Sequence, residues 1–290
     1  MSIRSDLKDA AYKTSGSKAT RAAKISSANR FADWLQKNNL QIRSLDKLKA
    51  KYIERYAQES LSNLAIRTAQ NHMSNLRTCL REAGRHQLAD LEKLSNKNLG
   101  LAGSSRDGTH RAIKNDEYQQ AKERAFANGR PEIASVMDLQ RSLGLRAQEA
   151  IQGSCRDTLD RWEKELKNGK ILVNAGTKGG RPRETWIAEG QKNQALEAIK
   201  EAKKILGEKT NLIEKPNLKA AINFYHRHAR NAGLKGEISS HSMRYAWAND
   251  AVKFAKQERE MSEREALAFV SQSLGHGDGR GRYVAQVYLK

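Results

Sequence analysis

Apolar side chains at Ile66, Ala69, Met73, Leu76 and Leu80 step along the chain by three, four, three and four residues. That spacing gathers all five on one face of an α-helix, whereas in a strand alternate residues would point to opposite sides. The rhythm recurs between about Ser17 and Lys37, at Ile25, Ala28, Phe31 or Ala32, and Leu35, and again after Asp46 at Leu48, Tyr52, Ile53 and Tyr56. A chain written this way must bury helix faces against one another, so residues 1–94 are predicted to form a helical bundle, with residues 1–16 polar and loosely ordered. Residues 95–112, rich in Gly, Ser and Asn, read as a linker. Beyond it a helix is predicted from Asn115 through Phe126, opened by the acidic first turn of Asp116 and Glu117, and another from Pro131 to Gly144. Further helices are predicted over about 191–206, 218–232, 242–256 and 263–273. Residues 170–175 and 183–188 break the pattern, as two short strands around the glycine-rich turn between them. The fold class is therefore mainly α with a small β-hairpin: an N-terminal helical domain at 1–94, a linker at 95–112 and a mixed α+β domain at 113–290.

Charge narrows the partners. The chain of 290 residues has a formal net charge of +20 and a pI near 10.0. The excess is divided almost evenly between residues 1–112 and 113–290, so it is not a basic tail. Nucleic acid is the first candidate, because Lys and Arg that neutralise phosphates release condensed counterions. The plain alternative is a soluble basic protein with no polyanionic partner. A membrane surface is disfavoured, since the basic residues do not collect on one amphipathic helix. There is no long apolar run and no signal-like start. Cys79 and Cys155 are isolated thiols without metal-ligand spacing, which suits a reducing cytoplasm and gives no reason to expect a structural metal. An RNA-binding helical protein is a remote reading, because no aromatic stacking motif or glycine-loop signature is present. On the polar face of the helix at 66–81, Arg67, Asn71, Asn75 and Arg81 are suited to phosphates and base edges, although a solvated helix face explains them equally well.

Three short frames in the second half carry chemistry: Gly144-Leu145-Arg146-Ala147-Gln148-Glu149, His241-Ser242-Met243-Arg244 and Leu274-Gly275-His276, with Tyr288 near the end. Each alone is ordinary; Leu-Gly-His is usually a helix end with glycine as its cap. Their order is less ordinary. Together with Lys178 in the predicted hairpin turn, it resembles the tyrosine recombinases, or phage-type integrases, over residues 113–290. The N-terminal bundle resembles that family's core-binding domain in architecture.

The resemblance implies roles. Arg146 and Arg244 would grip the scissile phosphate and stabilise transition-state charge. His241 would hydrogen-bond the phosphate and act as a base toward the attacking phenol, and His276 would donate to a phosphate oxygen. Lys178 would protonate the 5′-oxygen leaving group, with Arg181 and Arg183 contacting the DNA backbone or replacing it. Glu149 would orient an arginine or histidine. No metal or other cofactor is called for. The family usually places its tyrosine nine residues after the third-frame histidine. Here that position is Ala285, with Tyr283 seven and Tyr288 twelve residues after His276. Residues 277–282 read as a short insertion, which favours Tyr288 as the nucleophile over Tyr283.

By this resemblance the chain is expected to be a cytoplasmic, nucleoid-associated site-specific recombinase, the integrase of a mobile element, acting as a homo-tetramer on DNA with accessory DNA-bending or directionality proteins. An invertase or resolvase shares the chemistry, a type IB topoisomerase fits less well, and a catalytically inactive repressor or architectural relative is the competing reading.

Overall fold

The computed structural model describes residues 2–105, 110–277 and 279–289, and the chain divides into two compact units, Met1–Ser105 and Arg106–Lys290. The predicted linker contains that division. Residues 106–109 and, in the predicted insertion, Asp278 lie outside the described residues.

The first unit is built from α1 (Ile3–Lys13), α2 (Lys18–Lys37), α3 (Ala50–Tyr56), α4 (Ile66–Glu82) and α5 (His86–Ala89). The apolar face of α4 is buried, with Ala69, Met73, Leu76 and Leu80 at 1% exposure or less; Ile66, the first of the periodic residues, stays exposed at the helix start. Each large side chain so buried contributes about 1.5–3 kcal/mol. Phe31, Trp34 and Tyr56 close the other side of the core, with the Phe31 and Tyr56 rings 5.0 Å apart and edge-on.

Residues 1–16 are not loosely ordered. Ser2 caps α1 by accepting from the Ser5 N–H at 3.3 Å, and Ile3, Leu7, Ala10 and Ala11 lie in the core. Nor is the stretch from Ser95 a free linker throughout, because Leu99 and Leu101 are buried in the first unit and Gln70 Nε2 donates to the Leu101 carbonyl at 2.7 Å. The helix expected after Asp46 begins later, at Ala50, after a short 3-10 turn over Leu45–Lys47.

The second unit comprises α6 (Asn115–Ala127), α7 (Pro131–Leu143), α8 (Ala147–Gln152), α9 (Arg156–Glu165), strands β1 (Lys170–Val173) and β2 (Arg183–Trp186), then α10 (Glu189–Leu206), α11 (Leu218–Asn231), α12 (Ser242–Glu258), α13 (Glu263–Ser273) and α14 (Gly281–Tyr288). Pro131 opens α7, where its missing N–H costs nothing, and the helix is buried from Ile133 through Leu143 except at Arg141. Helices α6, α10 and α12 pack around it. β1 and β2 are antiparallel, with Ile171 opposite Thr185 and Val173 opposite Arg183. A strand's two-residue period therefore turns Ile171, Val173, Arg183 and Thr185 to the same, buried face. No helix among the described residues is long and apolar enough to cross a membrane.

Candidate active site

The three frames are three helix ends. Gly144 terminates α7 with φ +62°, and a Cβ there would stand 2.5 Å from the Trp247 ring, so both the backbone and the packing demand glycine. Arg146 follows in extended conformation and starts α8. His241 precedes the first turn of α12, its N–H held at 3.1 Å by the Ser239 hydroxyl, and Arg244 sits inside that turn. At the end of α13 the Gly275 N–H reaches the Gln272 carbonyl at 2.7 Å and the His276 N–H reaches the Ser271 carbonyl at 3.0 Å, a Schellman motif with φ +70° at Gly275. The ordinary helix end is present, and it is also what presents His276.

The ends are tied together by arginine and one carboxylate. Glu149 receives Arg146 Nη1 at 2.7 Å on one oxygen, and the Arg146 N–H and Arg183 Nη2, each at 2.7 Å, on the other. Arg244 Nη1 lies 3.7 Å from that second oxygen. Arg244 also donates to the Gly144 carbonyl and, at 2.5 Å, to the Leu274 carbonyl, which accepts Arg146 Nη2 at 3.4 Å. The Arg244 side chain is 0% exposed and that of Arg146 is 22% exposed. Arg146 can therefore present its guanidinium to a ligand, while Arg244 Nε is buried without a hydrogen-bond partner among the described residues.

Burial pushes the Glu149 carboxyl up, but the guanidinium groups of Arg183, Arg244 and Arg146, with the Arg146 N–H, outweigh it and hold it below its ordinary value. Burial and the adjacent Arg244 lower Arg183 to about 9. Burial, then Arg244 and Arg146, lower His241 to about 4 and His276 to about 3, so both imidazoles are neutral at pH 7.

Tyr288, the last residue of α14, is 2% exposed, and its hydroxyl lies 2.9 Å from His276 Nε2. Its ring is surrounded by Tyr245, His276 and His241, at 4.6, 5.5 and 6.0 Å between centroids. Tyr283 is 39% exposed and lies edge-on to His276 at 5.0 Å. The Tyr288 phenol thus hydrogen-bonds to His276, where the expected base was His241.

Of the other expected residues only Arg183 joins this group. Lys178 and Arg181 are exposed in the turn between β1 and β2, and neither makes a hydrogen bond or ion pair among the described residues. Arg183 corrects its expectation as a backbone contact. It faces inward by strand period, bonded to Glu149 and Thr185, with its Cδ beneath Gly275 where a Cβ would come within 2.6 Å. In the first unit Arg67 and Asn71 are exposed, Arg67 donating to the Ser105 carbonyl at 3.1 Å. Asn75 instead binds the Ser27 hydroxyl at 3.0 Å, and Arg81 pairs with Asp90 at 2.5 Å. Tyr245 was missed by sequence reasoning, although its place four residues after His241 on one helix could have signalled it.

A mainly helical unit with a two-stranded hairpin, in which arginines, histidines and a buried phenol converge, has the fold of the tyrosine recombinases. The family model described as "Integrase" matches residues 100–250 and that described as "Phage integrase, N-terminal" matches residues 1–89. The chain belongs to the integrase family. Among solved structures it is similar to a lambda integrase dimer bound to a COC′ core site, with TM-score 0.62 and 17% identity over 98% of this chain and 77% of that one. It is similar also to the XerH site-specific recombinase bound to palindromic difH substrate in a post-cleavage complex (0.58 and 15%, over 98% and 90%). A third likeness is to the Tn1549 transposon integrase in complex with a circular intermediate DNA (0.57 and 12%, over 98% and 94%). At such identities the likeness is one of fold. No curated protein matches the chain.

Proposed function

We propose that this chain is a site-specific DNA recombinase, the integrase of a mobile element, that cuts and rejoins double-stranded DNA through a 3′-phosphotyrosyl intermediate with Tyr288 as nucleophile. The observation that carries the reading is the Tyr288 hydroxyl 2.9 Å from His276 Nε2, beside the arginine cluster. Neutral His276 can accept the phenol proton as the Tyr288 oxygen bonds to phosphorus. Arg146, the more exposed of the two frame arginines, would hold a non-bridging oxygen; Arg244 Nε, a buried donor without a partner among the described residues, would meet a second. The 5′-oxygen leaves with a proton, for which Lys178 in the hairpin turn is the candidate donor. Attack by a second strand's 5′-hydroxyl reverses these steps and reseals the backbone without ATP.

Exchange between two duplexes requires two protomers on each. A lambda integrase tetramer bound to a Holliday junction shares this chain's fold, with TM-score 0.61 and 17% identity over 98% of this chain and 77% of that one, which supports a tetramer on DNA. The +20 charge supports a DNA partner. The first unit, with the exposed Arg67 and Asn71, would add contacts to the duplex.

The test is covalent trapping on nicked duplexes tiled from the DNA flanking the gene. An adduct that survives denaturation, persists in Tyr283→Phe and vanishes in Tyr288→Phe is expected. Tight binding with no adduct on any duplex, with cellular extract supplied, would leave a DNA-binding protein without strand transfer.

A further inference from the structure

Gln140 lies on α7 at 0% exposure, among Val136, Met137, Leu139 and Leu143. A primary amide so withdrawn from water has two N–H groups and a carbonyl to satisfy, and leaving them unpaired would cost more than a leucine in the same space. All are used. Nε2 donates to the Leu145 carbonyl at 3.3 Å and to the Ser240 carbonyl at 3.2 Å, and Oε1 accepts the hydroxyl of Tyr225, itself fully buried on α11. Among the described residues no other hydrogen bond reaches either carbonyl.

The two carbonyls have a particular place in the chain. Leu145 immediately precedes Arg146 and Ser240 immediately precedes His241. One side chain therefore spans the backbones that deliver two of the three frames, segments about 95 residues apart in sequence. We infer that Gln140, fixed by Tyr225, is a positioning residue that sets the separation of Arg146 and His241 without touching the phosphate. This rests on the function proposed above. The guanidinium and imidazole must meet one phosphate together, and a shift of even an ångström in either lowers the rate steeply. The arginine–glutamate cluster fixes the guanidinium end of Arg146, and Gln140 fixes the backbone roots of Arg146 and His241 together.

Tyr118 and Asp138 form another buried polar pair nearby, but they bond to each other and to Lys122 and, among the described residues, to no frame residue.

The experiment pairs two readouts on the full chain as wild type, Gln140→Leu and Tyr225→Phe. Without DNA, hydrogen exchange is followed by mass spectrometry in peptides covering 144–149 and 239–245. In Gln140→Leu both segments should exchange at least tenfold faster, with peptides from the first unit and α10 unchanged. Tyr225→Phe removes one hydroxyl and keeps the packing, so it serves if Gln140→Leu does not fold; about threefold is expected there. On a nicked duplex, the single-turnover cleavage rate at saturating DNA should fall tenfold or more in Gln140→Leu while Kd stays within twofold.

Unchanged exchange in both segments overturns the inference, and so does faster exchange with a wild-type cleavage rate. A wild type that never cleaves removes the functional reading alone, and the exchange data still decide whether the clamp exists.

Discussion

Arg183 and Glu149 meet at 2.7 Å where neither side chain is more than 6% exposed. The carboxylate there also faces Arg146 and Arg244, so one negative charge offsets three guanidinium groups. Glu149→Gln keeps the shape and removes the charge, leaving buried cations uncompensated. A loss of about 3–5 kcal/mol is expected from urea unfolding of the second unit. The double variant Glu149→Gln/Arg183→Met should lose less than the sum of the two single changes, because the pair is coupled. A cost below about 1 kcal/mol for Glu149→Gln would mean that backbone packing, not charge, holds the cluster.

Gly144→Ala should be among the most disruptive single-methyl additions in the second unit. The left-handed backbone alone costs about 1–2 kcal/mol, and the Trp247 contact at 2.5 Å adds about 1–3 kcal/mol of overpacking. Gly129→Ala is the control. Its φ of +66° is similar but nothing lies within 4 Å, so only the backbone part should appear. Equal shifts in thermal midpoint for the two would rule out the Trp247 contact as a constraint.

Stability should fall as pH drops from 6.5. Burial, reinforced by Arg244 and Arg146, holds folded His241 at about 4 and His276 at about 3, below the ordinary 6.5. The unfolded chain takes up protons in this window that the folded chain refuses, so the contribution is complete above pH 6.5 and lost as pH falls toward 4 and 3. His72, His226 and His228 shift in the same direction. The urea midpoint should be lower at pH 5.0 than at pH 7.5, and His276→Gln should narrow that difference. An identical gap in the variant would exclude His276 as a contributor.

Leu7→Ala should destabilise the first unit by about 2–5 kcal/mol, since Leu7 is 0% exposed in its core. A change under about 0.5 kcal/mol, read by urea unfolding of the full chain, would return residues 3–13 to the status of a dispensable arm.

That helix also shows what the sequence hid. Its buried positions Ile3, Leu7, Ala10 and Ala11 keep helical spacing, but two are alanines amid Lys, Asp and Ser, so the apolar stripe is faint in composition and strong only once α2 and α4 cover it. α4 was legible because its stripe is made of large side chains. The hairpin was legible because glycines separate two short apolar runs, and the mainly helical fold with one small sheet stands as expected. In the site, the frames could be read because each is local, a helix start or a helix end. What joins them is not local. Arg183 looked like a surface cation beside Lys178 until strand register turned it inward. Gln140 is one polar residue in an apolar helix, and only its distant carbonyls show its use.

The Leu274 carbonyl takes donors from residues 128 and 30 positions earlier in the chain. Loops of that size close late, because their entropy is lost before any contact repays it. The cluster can take its final geometry only after α13 has emerged and folded back. A chain that stopped short of Leu274 would carry both arginines yet lack the carbonyl that accepts from both of them.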